Sequence, residues 1–118
     1  MSHLVTIQAE IRDEEAVRAA CKRLHLSPPQ FGSARLFQQE QRGLLVELPD
    51  WRFPVVCDLL KGDLRYDNYE GRWGERKQLD RFLQAYVVEK TKIAARLQGF
   101  SAQEHVLTDG SIRLTLHT

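Results

Sequence analysis

The sequence predicts one α+β domain over residues 1–118, with an antiparallel or mixed sheet of about five to seven strands and two helices on one face. Residues 74–99 contain no proline and place apolar residues at helical spacing. Short segments with the two-residue alternation of strands precede and follow this stretch. A chain of 118 residues can build one core but hardly two. The predicted order is β-α-β-β-β-β-α-β-β.

The composition excludes several classes of protein. The 17 Lys and Arg nearly balance the 16 Asp and Glu, so no long-range attraction for nucleic acid or an anionic membrane is expected. No apolar run approaches the roughly 18 residues of a spanning helix, and the N-terminus lacks a signal-peptide profile. Cys21 and Cys57 stand in apolar segments without CxxC spacing, which favours buried, reduced thiols. These features predict a cytoplasmic protein.

The first part of the chain reads as strand, helix and hairpin. Residues 3–11 alternate in polarity, and Asp13 can cap a helix that ends before Ser27 and two prolines. Residues 34–39 and 44–48 read as strands around a polar turn at residues 40–43. Further strands are expected at residues 55–59, 64–66, 105–107 and 111–117, the last two joined by Asp109-Gly110.

The helix predicted within residues 74–99 is amphipathic on a 100° wheel. Its polar side carries Lys77, Arg81, Gln84, Lys92 and Arg96, and a solvated face is the simplest interpretation. Binding of RNA to this basic side is a weaker alternative. The apolar arc consists of Leu79, Phe82, Leu83, Tyr86, Val87, Ile93, Ala94 and Leu97.

Short motifs along nearly the whole chain carry a resemblance to a known family. They are Met1-Ser2-His3, Thr6-Ile7, Ile11-Arg12-Asp13, Ala19-Ala20-Cys21, Leu48-Pro49, Tyr66-Asp67, Trp73-Gly74, Tyr86, Gln98-Gly99-Phe100 and residues 109–114. On these residues the chain resembles the family catalogued as domain of unknown function 1257, from bacteria and algal plastids. The resemblance implies no catalytic residues. Some similar members stand beside an AAA-type ATPase and a ferredoxin-like protein, which implies an accessory subunit. Plastid-type members tend to have a Trp-Trp pair where this chain has Arg72-Trp73.

Lys90 lies in the middle of the apolar arc, so two interpretations are open. It could be a desolvated amine with a lowered pKa, acting as a base or forming a Schiff base. If its ammonium pairs with a carboxylate instead, Asp58 and Asp67 of the neighbouring strands are the candidates. Its stem could instead cover apolar surface while the ammonium reaches solvent or a carboxylate, and this is the more common arrangement of a lysine.

Residues 66–74 form the most recognisable candidate for a binding surface. The loop carries Tyr66, Asp67, Tyr69, Arg72 and Trp73 just before a helix N-terminus. Such residues anchor protein interfaces and line ligand sites. A tryptophan ahead of a helix can also simply close one end of a core.

No pattern in the sequence predicts a cofactor or a metal site. His3, His25, His105 and His117 are scattered without ligand spacing, and GxSxG and GxxxxGK[ST] are both missing.

Two main functions therefore remain open, beside the weaker alternative of RNA binding. The first is a non-enzymatic accessory or adaptor module that binds a protein partner, or a second copy of itself, through the aromatic loop or a free sheet edge. The second is a small enzyme or ligand-binding protein with a helix–sheet pocket around Lys90, Tyr66, Asp67 and Arg72.

Overall fold

The computed structural model describes residues 4–118. The elements follow the predicted order, and a short turn at Tyr69–Gly71, with positive φ at all three residues, precedes the long helix. They are β1 Leu4–Gln8, α1 Glu14–Arg23, β2 Gln30–Leu36, β3 Gln39–Val46, β4 Val55–Asp58, β5 Asp63–Asp67, α2 Arg76–Leu97, β6 Ser101–Val106 and β7 Ile112–His117.

The strands form two antiparallel sheets. One has five strands in the order β1-β5-β4-β3-β2, so β1 and β2 are its edges. The other is the β6–β7 hairpin, which follows α2 and closes at Asp109-Gly110 with Gly110 at φ 87°. The α+β class is confirmed. No helix among residues 4–118 is long and apolar enough to cross a bilayer.

One face of the five-stranded sheet holds both helices. Asp13 caps α1 as predicted, since its carboxylate accepts the N–H of Ala16 at 3.2 Å. Helix α2 packs against α1, and the two helices share one core with the sheet. The buried core between the layers includes Val17, Ala20 and Cys21 of α1, Leu44, Val55, Cys57, Leu64 and Tyr66 of the sheet, and Leu79, Phe82 and Tyr86 of α2.

The predicted turn at residues 40–43 is wrong, because the β2–β3 hairpin turns at Phe37-Gln38. Both residues have positive φ, 43° and 62°, as a two-residue type I′ turn requires. Gly43 lies inside β3, where an added Cβ would come within 2.5 Å of the Cys57 carbonyl oxygen. The glycine thus permits close strand packing and does not form a turn.

The opposite face of the sheet is also partly covered. Arg65 points away from the helices, since its neighbours Leu64 and Tyr66 point toward them. Its guanidinium donates to Asp58, Asp63 and, at 2.9 Å, to the Gln41 side chain of β3. Leu36 and Val56, which share this face by register, are fully buried. The far half of the β2–β3 hairpin therefore bends over this second face.

The buried side of α2 rotates along its length. Leu79, Phe82, Tyr86 and Ile93 are buried as predicted, but Val87, Ala94 and Leu97 are exposed. Val88 and Ala95 are buried instead, because the β6–β7 hairpin packs beside the C-terminal half of the helix. The predicted arc is thus correct where α2 lies over the sheet and wrong beyond it.

Ion pairs attach the C-terminal hairpin to both helices. Glu104 of β6 accepts from Arg23 at the end of α1 and from Lys92 of α2. These bonds, the Arg23 bond first, lower the Glu104 pKa to about 2. Gln84 of α2 also donates to the Gly110 carbonyl at the hairpin turn, at 3.1 Å.

Candidate functional site

The loop between β5 and α2 folds back on itself through backbone bonds. The N–H groups of Gly71 and Trp73 both donate to the Asn68 carbonyl, at 3.0 and 2.9 Å. Tyr69, Glu70 and Gly71 have positive φ values of 48°, 54° and 97°. Each non-glycine residue in this region costs roughly 1–2 kcal/mol. Strain of this kind collects at functional sites, which makes the loop a candidate for one.

The rings of the loop form a layered cluster with two arginines. Tyr69 stacks on Trp73 with ring centroids 4.6 Å apart, and Phe53 meets Trp73 edge-on at 5.4 Å. The Arg52 guanidinium lies 4.7 Å from the Trp73 ring, and that of Arg72 lies 4.9 Å from the Tyr69 ring. Contacts of this kind hold the rings in place while leaving them half-buried.

A cleft of about 450 Å³ opens between this cluster and the β2–β3 turn. Arg35, Phe37 and Gln38 form one wall, and Phe53, Asp67 and Trp73 form the other. The bend of the hairpin over the second face of the sheet brings the two walls together. Three aromatic rings and three polar side chains thus face one concave surface, as in many ligand and peptide sites.

Asp67 is the most buried group in this cleft, with 2% of its surface exposed. One carboxylate oxygen accepts the N–H of Tyr69 at 3.2 Å. Within residues 4–118, no basic side chain forms an ion pair with it. Since buried carboxylates are usually paired, this one can accept hydrogen bonds or a positive charge from a bound molecule.

The predicted binding residues divide into three groups. Asp67 and Trp73 line the cleft, whereas Tyr69 and Arg72 support it through the ring cluster. Tyr66 does not take part, because neighbouring residues of a strand point to opposite faces. Its ring packs on the core side, edge-on to Trp51 at 5.6 Å. A pocket shared by Tyr66, Asp67 and Lys90 is therefore wrong.

Lys90 is exposed on α2, so the interpretation as a desolvated amine is wrong. Its Nζ lies 6.0 Å from the centroid of the Tyr86 ring. Asp58, a candidate partner of Lys90, instead accepts a hydrogen bond from Arg65 on the other face of the sheet. The lysine follows the alternative arrangement, in which the stem lies on the helix surface and the ammonium reaches solvent.

Trp51 closes the end of the core, a role that was one of the two predicted for Trp73. Its indole N–H donates to the Glu75 carbonyl at 3.0 Å, just before α2 begins. The ring lies so close to Gly74 that a Cβ there would come within 2.4 Å of it. Trp73 is thereby left beside the cleft.

Sequence reasoning missed five residues of the cleft and its supporting cluster: Arg35, Phe37, Gln38, Arg52 and Phe53. A signal for two of them was present, since residues 51–53 place two rings and an arginine before a strand. The Arg52 N–H donates to the Trp73 carbonyl at 2.8 Å, which joins this segment to the loop. The hairpin turn carried no comparable signal, because Phe and Gln are uncommon at positive φ.

Other candidate groups stay apart from the cleft. Burial raises the pKa of Cys21 to about 11 and that of Cys57 to about 12. Both are core thiols that resist ionisation. Among residues 4–118, no group of three or more His, Cys, Asp or Glu could hold a metal ion. His3 lies outside the described residues. On the basic side of α2, Lys92 is already paired with Glu89 and Glu104.

Comparison of the chain with known proteins identified no related protein. No family model, curated protein or solved structure matches the chain. The resemblance to domain of unknown function 1257 therefore stays a prediction.

Proposed function

We propose that the protein is a non-enzymatic accessory module that binds a segment of a partner protein in the aromatic cleft. The cleft itself carries the proposal, because it joins half-buried aromatic rings with a buried carboxylate in about 450 Å³. Tryptophan and arginine at such a surface are typical anchors of protein interfaces. The family resemblance suggests an AAA-type ATPase system as the partner.

The chemistry of the lining supports binding over catalysis. Asp67 is held by one backbone N–H, and among residues 4–118 no nucleophile or histidine lines the cleft with it. A peptide side chain that entered between Phe37 and Trp73 would be enclosed by rings and would meet Asp67 at the wall. An apolar stem with a donor at its tip, as in lysine, arginine or tyrosine, matches both features.

Co-purification from the native host tests this proposal. Tagged wild type is compared with Trp73→Ala, which removes one ring from a wall of the cleft, and with Leu60→Ala, whose side chain is 91% exposed in the β4–β5 turn. We expect Leu60→Ala to retain the partner and Trp73→Ala to lose it. If Trp73→Ala is folded by circular dichroism and still retains every partner, the proposal fails.

A small-molecule ligand is the second candidate, and the buried Asp67 favours it. Thermal-shift screening with small aromatic amines tests this idea. A hit whose effect disappears in Asp67→Asn but persists in Leu60→Ala would support a ligand in the cleft. If no amine stabilises wild type, or if the stabilisation survives in Asp67→Asn, this candidate is contradicted.

A further inference from the structure

Strand β2 leaves a long edge of the five-stranded sheet open. No described residue pairs with its outer side. A groove of about 520 Å³ lies beside its second half, lined by Ser33, Ala34, Arg35, Gln38 and Glu40. The strand has seven residues and contains neither lysine nor proline, the usual protections of an edge. Such an edge can pair with another strand.

The hairpin turn determines which groups this edge presents. In a two-residue hairpin the pair that flanks the turn, here Leu36 and Gln39, exchanges backbone hydrogen bonds. Alternation along β2 then turns the N–H and C=O of Phe31, Ser33 and Arg35 outward. All three residues are exposed, and Phe31 shows 59% of its surface.

These three side chains on one copy of β2 are complementary to the same three on a second copy. When two copies of β2 run antiparallel with Ser33 opposite Ser33, each Phe31 lies opposite the Arg35 of the other copy. Both contacts bring a guanidinium to an aromatic ring, and the serines meet on the twofold axis. The arrangement is isologous, as a twofold dimer requires. Strand β1, the other edge, has five residues and no charged side chain to define a register.

We propose that the protein forms a homodimer in which two β2 strands pair antiparallel about Ser33 and join the sheets into one of ten strands. The partner is a second copy of this chain. This inference concerns the sheet edge, and Arg35 is the one residue of β2 that also lines the aromatic cleft.

A matched pair of charge variants tests the register. Phe31→Glu places a carboxylate opposite Arg35 of the other copy, whereas Phe31→Lys places two cations together, twice per dimer. We expect the dimer Kd of Phe31→Lys to be at least about tenfold weaker than that of Phe31→Glu in sedimentation equilibrium. Wild type that stays monomeric throughout the concentration series, or equal Kd values for the two variants, overturns the proposal.

Cross-linking tests the axis independently. Hydrogen-bonded antiparallel pairs have Cα atoms about 5.5 Å apart, which is within the range of a disulfide. Ser33→Cys should therefore give a covalent dimer under mild oxidation, since the native thiols are buried. Gln30→Cys, on the same strand but three residues from the axis, should not. Equal cross-linking of both variants, or of neither, contradicts the register. Trp73→Ala should leave the dimer unchanged, which separates this result from that of the cleft.

Discussion

Tyr86 joins the two helices through a single hydroxyl. Its oxygen accepts the N–H groups of Arg12 and Asp13, each at 3.1 Å, just before α1 begins. The Tyr86→Phe variant should lose about 1–3 kcal/mol of unfolding free energy, because both N–H groups lose their partner. Urea denaturation measures this loss.

Tyr66→Phe provides the control for that experiment. Within residues 4–118 the Tyr66 hydroxyl accepts a single long bond of 3.4 Å, from exposed Arg76, so its removal should cost much less. Equal losses in the two variants would contradict the role assigned to Tyr86.

Prediction from sequence succeeded for residues whose role is local. The Asp13 cap depends on three neighbouring residues and was found where expected. The environment of Lys90 depends on which side of α2 the distant β6–β7 hairpin covers. A wheel drawn on the helix alone cannot include that information. The same limit explains why Val87 and Leu97 were expected to be buried.

The β2–β3 hairpin depends on a turn with unfavourable residues. Gln38 lies at φ 62°, where glycine has no steric penalty. Gln38→Gly should therefore raise the unfolding free energy by about 1 kcal/mol, and Gln38→Val should lower it. Thermal denaturation followed by circular dichroism gives both values. A glycine variant no more stable than the valine variant would contradict the turn.

The same hairpin shows why one wall of the cleft could not be predicted from the sequence. Gly43 was predicted to be a turn residue. It lies within β3, where the absence of a side chain lets the backbone approach the Cys57 carbonyl. Placing the turn a few residues too late shortened β3 and removed Phe37 from consideration. Alternation can assign a side chain to one face of a strand, but it cannot show that a strand bends over that face.

Glu104 should make the attachment of the C-terminal hairpin depend on pH. Its folded-state pKa of about 2 lies below the ordinary 4.5, so its charged form stabilises the fold fully above pH 4.5. That contribution falls as the pH drops from 4.5 and is lost below about 2. Wild type should be more stable than Glu104→Gln at pH 7, with a difference that shrinks over this interval. Urea titrations at several pH values measure it, and a constant difference would contradict the ion pairs.

At the scale of the molecule, the two sheets should differ in local stability. The molecule extends 50 × 31 × 23 Å, and the β6–β7 hairpin contains no fully buried residue. The central strands β3, β4 and β5 contribute Leu44, Val46, Cys57 and Leu64 to the core. Backbone amides of the hairpin should therefore exchange with deuterium faster than those of the central strands. Equal protection of both sheets in a mass-spectrometric exchange experiment would contradict this expectation.

The position of the two tryptophans has a practical consequence for such experiments. Trp51 and Trp73 lie at the head of α2, joined through Arg52 and Gly74, and residues 101–117 contain none. Tryptophan fluorescence therefore monitors the cleft end of the molecule. It does not report detachment of the β6–β7 hairpin. A ligand titration can be read from emission alone, whereas loosening at the far end needs a different spectroscopic probe.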